Sequence, residues 1–437
     1  MTSTKTALSE VMKLKENEWR PVAWSFLYFF CLLGGYYVLR PVRDEMGIQS
    51  GLENLPWLFT ATFIAMLLAV PVYGWAATRF PRRSLLPAMY GFFILNLLLF
   101  YFAFTSGASI SAAARVFFVW LSVFNLFVVS VFWSFMVDIF NREQSRRLFG
   151  VIAAGGSAGA ISGPTLTAHL VTVVGVFNLL LVSAGLLSIA LLSIWRLRAW
   201  ARDTAPGDDD VTALEGHWWD GFARVFQSRY LLGVSAYVLL YTTVATFLYF
   251  IQAYIVQDAF SDSVQRTRVF ARIDQITNLL TVALQLFFTS RIVARWGLTV
   301  LLGIVPVLAA LGFLALGWAP VLVVIATVQV LRRAGNYALA RPGREMLYGV
   351  LPRLDKYKSK NFIDTVVYRG GDAVSGWVYA GMAALGLSMT GIAWSAIPIA
   401  LVWLLVGVFL GRRYGALELT PKPEVRSASM SSTGAAR

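Results

Sequence analysis

Two residues of opposite charge, Arg369 and Asp372, lie inside an otherwise apolar stretch of the C-terminal quarter of the chain. Their spacing places both side chains on one face of a helix, where they can pair. Ionisable groups at membrane depth are costly, and they usually face a bundle interior or a water-filled cavity. We therefore predict that Arg369 binds an anionic group of a substrate, with Asp372 as its resting counter-ion or as a proton site. The alternative is a self-neutralising pair that only packs the bundle.

The same stretch begins with another acidic residue, Asp364. A carboxylate in the first turn of a helix is favoured by the helix dipole, which would make it a structural charge. The other interpretation is that Asp364 shares charge balance or proton transfer with Asp372. The sequence leaves both interpretations open.

The first apolar stretch ends in charged residues, in which Arg40 and Arg43 are followed by Asp44 and Glu45. If the helix continues past Pro41, Arg43 can point into a cavity and bind substrate, with Arg40 beside it. If the helix stops at Pro41, all four are surface charges.

Tyrosines precede these arginines on the same stretch, and Tyr36 lies one turn before Arg40. A tyrosine ring at this place could stack on a ring of the substrate. Aromatic residues also collect where helices leave a membrane, which is the commoner explanation. We include Tyr36 among the predicted substrate contacts.

The composition identifies the elements that must position these groups. The chain has 437 residues, of which 58% are hydrophobic and only 14% charged. A soluble protein could not bury that much apolar surface, and a disordered chain would be far more polar. The apolar runs are long and continuous rather than alternating, which excludes a β-barrel and indicates a polytopic helical membrane protein. The single cysteine excludes a disulfide within the chain. One cysteine and two histidines also argue against a metal site or a cofactor bound through Cys or His side chains.

Windows of about twenty apolar residues predict an all-α fold with twelve transmembrane helices in two six-helix bundles. The predicted spans are 21–40, 55–78, 84–105, 114–138, 148–171, 174–196, 230–256, 273–293, 298–317, 320–340, 362–386 and 390–411. They divide the chain into an N-terminal segment 1–20, a first bundle 21–196, a central linker 197–229, a second bundle 230–411 and a tail 412–437. Both termini and the linker are predicted to be cytoplasmic.

The distribution of basic residues gives this orientation, because cytoplasmic loops are enriched in Lys and Arg. With the termini inside, 30 of the 37 basic residues lie on the cytoplasmic side. In this assignment Arg332 and Arg333 belong to the loop after span ten. Asp274 lies at a span end, where it could neutralise Arg272. The same asymmetry explains the net charge of +14 without a nucleic-acid partner.

A short pattern occurs once in each half, on hairpins that the span count makes equivalent. Arg79-Phe80-Pro81 follows span two, and Arg295-Trp296-Gly297 follows span eight. Parallel repeats of six spans are a known plan for transporters. The segment 74–83 resembles the loop between spans two and three of the major facilitator superfamily, with Thr78 and Pro81 in place of the usual Asp and Gly. The basic residues of this motif loop are Arg79, Arg82 and Arg83.

Span five carries glycines at every fourth position, Gly155, Gly159 and Gly163, followed by Pro164. Glycines at this spacing form one helix face, and their small size lets a neighbouring backbone approach closely. Gly159-x-x-x-Gly163-Pro164 also resembles the antiporter motif of major facilitators. We predict that these residues pack closely at the interface between the two halves.

A narrower resemblance rests on three segments: residues 35–44, the segment from Phe132-Trp133-Ser134-Phe135 through Gly150, and residues 360–371. They resemble the ATP/ADP translocases of plastids and obligate intracellular bacteria, a distant major-facilitator-like branch. The resemblance implies nucleotide transport, with Arg43 at a basic position that the family uses. The family's membrane glutamates fall near Leu121 and Thr246, and its span-eleven lysine falls near Asp372, so those charges differ here.

The segment after span ten contains Arg344 and Glu345 within Arg341-Pro342-Gly343-Arg344-Glu345. It resembles an inner gate built from salt bridges, and the alternative is an ordinary basic cytoplasmic loop. Motif loop and gate together would control access to a central site.

The sequence therefore predicts a secondary active transporter that moves a small organic anion, such as a nucleotide or another phosphorylated metabolite, by rocker-switch alternating access. One alternative is proton-coupled transport or export of a neutral or cationic compound; another is a receptor or scaffold that does not transport. No phosphate-binding loop or hydrolase motif is present, so we expect neither a pump nor an enzyme. We expect a monomer in the bacterial cytoplasmic membrane, with a small-molecule substrate, the lipid bilayer and protons as its partners.

Overall fold

The long apolar stretches form helices throughout the computed structural model, which describes residues 15, 18–79, 82–107, 109–204 and 225–418. Phe80 and Pro81 of the motif loop, most of the central linker and nearly all of the tail lie outside the described residues, as do the side chains of Arg82 and Arg83. Within the described part of the chain all regular structure is helical, which confirms the predicted fold class.

Twelve helices, α1 to α12, account for the described chain, six before residue 205 and six after residue 224. The first six are Trp19–Gln49, Leu55–Arg79, Arg82–Thr105, Ile110–Ile139, Arg142–Val174 and Asn178–Thr204, and α7 is Arg229–Ala259. The stretch from Ser263 to Trp318 contains α8 and α9, which meet at Gly297. Then follow α10, from Leu322 to Leu347, α11, from Arg353 to Ala384, and α12, Met389–Glu418.

Gly297 separates α8 from α9 because it adopts a backbone conformation that only glycine takes readily, with φ 73° and ψ −178°. This residue is the turn position of the second short repeat, so the predicted hairpin is present there. Eight stretches of the described chain are long and apolar enough to cross a membrane by composition alone. Helices α5, α10 and α11 are not among them, since α5 is rich in small residues, and α10 and α11 carry charged residues along their lengths.

Three helices of the second half contain a π-helical turn, in which one extra residue is accommodated. The turns are Gln285–Thr289 in α8, Asn336–Ala340 in α10 and Ile363–Val367 in α11. The first two are joined, since the Thr289 hydroxyl donates to the Ala338 carbonyl at 2.9 Å. Such turns are frequent at functional sites, and here they lie in helices that carry charged residues.

Several helices begin earlier or end later than the hydropathy windows predict. Helix α1 runs through Pro41 to Gln49, α8 begins at Ser263, and α11 begins at Arg353. The predicted spans end where charged residues lower the mean hydropathy. In the structure many of these charged side chains are buried or paired, so the helix can continue through them.

Each half has its own apolar core. Phe117, Phe124 and Phe132 are fully buried in the first half, and Phe313 and Trp403 are fully buried in the second. The core of the second half also takes in residues from the end of α1 and the start of α2 and α4, namely Ile48, Leu52, Leu55, Leu58 and Phe118. We call the side where α1 begins and α12 ends the terminal side, and the opposite side the far side. On the far side, the core of the second half therefore extends into the first half.

The glycine face of α5 packs closely on a neighbouring helix, as the spacing predicts, but that helix is α1 of the same half, so the predicted place at the interface between the halves is wrong. A Cβ atom on Gly155 would lie 2.5 Å from the Phe26 carbonyl oxygen, and one on Gly159 would overlap the Phe30 carbonyl oxygen. The Thr167 hydroxyl, one turn beyond this face, donates to the Val38 carbonyl at 3.1 Å. Small residues thus bring the two backbones into direct contact.

The terminal side of the first half is held by an ion pair between Glu18, just before α1, and Arg147 of α5, at 2.8 Å. Burial raises the pKa of Glu18, but hydrogen bonds from Arg147, the Lys15 backbone and Gln144 outweigh it and leave the pKa below its usual value. The carboxylate therefore stays ionised and fixes the start of α1 to α5.

Replacing Gly159 by Ala should lower the stability of the protein, because the new methyl group has to displace the α1 backbone. Overpacking of this kind costs about 1–3 kcal/mol. Gly150→Ala, also on α5, is the matched control, since a Cβ there meets nothing within 4 Å. Thermal unfolding of the detergent-solubilised variants tests the difference; equal melting temperatures would contradict the close α1–α5 contact.

Candidate functional site

A cavity of approximately 780 Å³ lies between the two halves. Helices α1, α2, α4 and α5 line it from the first half, and α7, α10 and α11 line it from the second. It extends toward the terminal side as far as Phe29, Tyr237 and Arg344. A second cavity of approximately 450 Å³ lies beside it between α5, α8 and α10.

The predicted pair Arg369 and Asp372 lines this cavity near the middle of α11, with 3.4 Å between guanidinium and carboxylate. The guanidinium carbon of Arg369 also lies 5.1 Å from the centre of the Tyr368 ring. Thr246 of α7 donates its hydroxyl to Asp372 at 3.5 Å. The ion pair is long and Arg369 remains 32% exposed, so a ligand in the cavity can reach it.

Arg43 also lines the cavity, since α1 continues past Pro41 and the alternative of a surface cluster is wrong. Its guanidinium donates to Asp44 at 2.8 Å and packs on the Phe118 ring at 4.9 Å. Asp44 also accepts a hydrogen bond from the Tyr249 hydroxyl of α7 at 3.2 Å. One carboxylate therefore connects an arginine of the first half with a tyrosine of the second.

The assignment of Asp274 to a span end beside Arg272 is wrong. Because α8 begins ten residues earlier than predicted, Asp274 lies inside the helix and is only 1% exposed. It accepts a short hydrogen bond from Arg333 of α10, and its second oxygen lies 3.7 Å from Arg40 of α1. Arg272 instead donates to Gln275 at 3.1 Å.

The assignment of Arg332 and Arg333 to a cytoplasmic loop is also wrong. Both belong to the last turn of Leu322–Gly335, where they are 5% and 8% exposed and line the cavity. Both positions fall within predicted span ten, 320–340, but the orientation analysis assigned them to the loop after it because they are basic. Two adjacent arginines inside a predicted span were the signal that identifies them as site residues.

The predicted gate residues pair within the second half and not across the two halves. Arg344 of α10 lies 3.1 Å from Asp364 of α11, and Glu345 lies 2.6 Å from Lys360. Arg344 and Asp364 line the main cavity, and Glu345 lines the second cavity. In this structure these pairs fix α10 to α11.

Of the motif loop, Arg79 is exposed at the end of α2, and it is not among the residues that line the cavity. Pro164 is buried within α5, next to the glycine face. Among the described residues, no group of three His, Cys, Asp or Glu side chains could hold a metal ion.

Positive charge predominates in the wall of the main cavity. Among the residues that line it, seven are arginines and three are aspartates, an excess of four positive charges. The arginines are Arg40, Arg43, Arg332, Arg333, Arg341, Arg344 and Arg369, and the aspartates are Asp44, Asp364 and Asp372. Seven tyrosines share the wall: Tyr36, Tyr37, Tyr237, Tyr241, Tyr249, Tyr337 and Tyr368. The cavity thus offers guanidinium groups for anions together with aromatic faces and hydroxyls.

On the far side of the cavity the halves are joined by polar contacts. Arg266, in the first turn of α8, makes two hydrogen bonds of 2.8 and 2.7 Å to the fully buried Glu45 of α1. The Trp377 indole of α11 donates to the Thr60 hydroxyl of α2 at 3.0 Å. Together with the Asp44–Tyr249 contact, these bonds close the far side.

The arrangement of two six-helix halves around a central cavity agrees with what sequence comparison finds. The family model of the Major Facilitator Superfamily matches residues 25–341. The chain belongs to the major facilitator superfamily. It is therefore a membrane transporter of that type, with a small-molecule substrate.

Curated relatives extend the match over nearly the whole chain. ADP,ATP carrier protein 2 of Chlamydia pneumoniae is 24% identical over 473 residues, covering 89% of this chain and 88% of that protein. ADP,ATP carrier protein 1 of Chlamydia muridarum (strain MoPn / Nigg) is 22% identical over 510 residues, covering 98% and 96%. Both agree with the predicted resemblance to ATP/ADP translocases.

Solved structures of this superfamily share the fold. The nucleoside transporter NupG superposes with a TM-score of 0.60 at 14% identity, over 93% of this chain and all of that one. The POT family transporter PepTSo superposes with a TM-score of 0.62 at 13% identity, over 91% and 98%. At these identities the likeness concerns the fold alone.

The Glu45–Arg266 pair provides a direct test of far-side closure. Glu45→Gln or Arg266→Gln alone should each destabilise the protein, by up to about 3–5 kcal/mol, because one charge of a pair in which Glu45 is fully buried and Arg266 is 11% exposed loses its partner. The double variant should lose less than the sum of the two single variants. Melting temperatures of all four proteins complete this double-mutant cycle; strictly additive losses would contradict the pairing.

Proposed function

We propose that this transporter moves a small organic anion through the arginine-lined cavity by alternating access. The observation that carries the proposal is the excess of positive charge at the cavity: seven arginines line it, against three aspartates in the wall and the buried Asp274 that pairs with Arg333, which leaves an excess of three. Unpaired positive charge inside a membrane protein is costly, and an anionic ligand would compensate it. Arg43 and Arg369 are the proposed primary ligands of the anionic part, with Arg40 and Tyr36 beside them.

The closed far side supports a rocker-switch cycle in which this structure is the state open to the terminal side. The distribution of Lys and Arg places the terminal side in the cytoplasm, so the state would face inward. One chain supplies both walls of the cavity, which fits a monomer in a bacterial cytoplasmic membrane. To expose the site to the other side, the contacts of Glu45 and Asp44 with the second half would have to break.

A nucleotide or another phosphorylated metabolite fits the wall chemistry best. Guanidinium groups bind phosphate through paired, charge-assisted hydrogen bonds. Tyrosine rings can stack on a base, and their hydroxyls can bond a sugar. The two Chlamydia relatives are named ADP,ATP carrier proteins, which makes ADP and ATP the first compounds to try. Asp372 and Asp364 would balance the charge of Arg369 and Arg344 when the cavity is empty, or carry a coupled proton.

Nucleotide counterflow in proteoliposomes tests the proposal. Vesicles containing purified protein and loaded with ADP should accumulate labelled ATP, whereas vesicles without internal ADP should not. Arg369→Ala should reduce uptake at least about tenfold, because one lost charge-assisted contact to phosphate costs about 1.5–3 kcal/mol. Arg268→Ala, at an exposed position of α8 away from the cavity, is the matched control and should leave uptake unchanged.

No uptake from folded protein would contradict nucleotide exchange. Phosphorylated sugars and dicarboxylates would then be tried, with and without a proton gradient. Proton-driven uptake of a neutral or cationic compound that survives Arg369→Ala and is lost in Asp372→Asn would contradict anion transport and favour the alternative function.

A further inference from the structure

The geometry points to a second anion subsite formed by Arg40, Arg332 and Arg333, which the carboxylate of Asp274 occupies while the cavity is empty. In this inference, a second anionic group of the substrate displaces Asp274 and takes over its arginines. The inference rests on the proposed anion transport and narrows the substrate to a compound with at least two anionic groups.

The first observation is how Asp274 is held. Its side chain is 1% exposed, and one oxygen accepts a hydrogen bond from Arg333. The other oxygen is buried without a hydrogen bond and has only Arg40 near it, at 3.7 Å. A buried carboxylate normally has both oxygens hydrogen-bonded, because the desolvation cost is otherwise not recovered. Asp274 is therefore held through one oxygen only, and an anionic group that satisfies more of the surrounding donors can replace it.

The second observation is Arg332, the residue of α10 that directly precedes Arg333. Arg332 is 5% exposed and lines the cavity, and within the described chain it makes no ion pair. It donates to Gln329 at 2.7 Å, and Gln329 is itself fixed by a hydrogen bond to the Leu248 carbonyl at 3.1 Å. The Nε atom of Arg332 is buried without a partner. Arg332 is thus positioned, charged and uncompensated, as a ligand for an anion must be.

The third observation is the position of this cluster relative to the proposed primary site. Arg40 and Arg43 are three residues apart on α1, so they are separated by roughly 4.5 Å along the helix axis. Arg43 belongs to the subsite shared with Arg369, and Arg40 belongs to the cluster with Asp274. Two anionic groups one helical turn apart would therefore meet both subsites. Linked phosphates, as in a diphosphate or a longer polyphosphate, carry several anionic oxygens on one molecule, so one substrate could reach both arginines.

The displacement also has a consequence for the cycle. Arg40 belongs to the first half and Asp274 to the second, so their contact joins the halves. When a substrate group replaces Asp274, the contact between Arg40 and Asp274 is lost. The substrate group then lies between Arg40 of the first half and Arg332 and Arg333 of the second. Binding of the second anionic group would thus change which atoms hold α1 to the second half.

Calorimetric titration of the purified full-length protein in nanodiscs tests the second subsite, with inorganic pyrophosphate and inorganic phosphate as probes. The wild type should bind pyrophosphate more tightly than phosphate. Asp274→Asn should tighten pyrophosphate binding about tenfold, because the competing carboxylate charge is removed, and should change phosphate binding much less. Arg332→Gln should weaken pyrophosphate binding by about tenfold or more and abolish the preference over phosphate.

Two controls keep the comparison specific. Asp258→Asn, at an exposed position of α7, removes a carboxylate away from both cavities and should leave both affinities unchanged. Asp274→Asn leaves two arginines uncompensated and could fail to fold. The double variant Asp274→Asn/Arg40→Gln restores the net charge, and it should fold and lose the tenfold gain in affinity for pyrophosphate.

The outcomes separate the two proposals. If neither probe binds the folded wild type, anion binding fails and this inference fails with it. If pyrophosphate binding depends on Arg43 and Arg369 but is unchanged in Asp274→Asn and Arg332→Gln, the proposed function stands and the second subsite is overturned. Tighter binding in Asp274→Asn together with weaker binding in Arg332→Gln establishes the subsite.

Discussion

The structure depends on keeping several guanidinium groups charged inside a bundle of apolar helices. Arginine does not deprotonate in proteins, so each buried guanidinium needs an acceptor, an aromatic face or water. The cavity between the halves supplies acceptors and aromatic faces: Arg43 has Asp44 and Phe118, Arg369 has Asp372 and Tyr368, and Arg332 has one amide oxygen. The compensation by these partners is incomplete, which is the basis for proposing that the site binds an anion.

The end of α1 connects this charge problem to the arrangement of the two halves. Arg40, Arg43, Asp44 and Glu45 follow one another on the part of the helix beyond Tyr36, and three of them contact the second half directly. The close α1–α5 contact through Gly159 holds the rest of α1 within the first half. One helix therefore contributes to the substrate site, to the far-side closure and to the rigidity of its own bundle. Any anion that changes the partners of Arg40 or Arg43 acts on the same segment that closes the far side.

Local patterns in the sequence predicted the features that depend on neighbouring residues. The apolar windows gave twelve helices, the spacing of Arg369 and Asp372 gave their pairing, and the glycine spacing of α5 gave its packing face. The partners of Asp274, which are Arg40 and Arg333, could not be predicted in this way, because they depend on how α1, α8 and α10 meet. Charged residues at helix ends also misled the span boundaries, since hydropathy does not distinguish a charge facing a cavity from a charge in a loop.

The most direct test of the central claim, that the arginine-lined cavity is an anion site, is an electron cryo-microscopy map of the protein in nanodiscs with saturating ADP. We expect ligand density in the main cavity, with phosphate density between Arg43 and Arg369 and extending toward Arg332. Density confined to the smaller cavity between α5, α8 and α10, or an empty main cavity under conditions in which ADP binds, would contradict the claim.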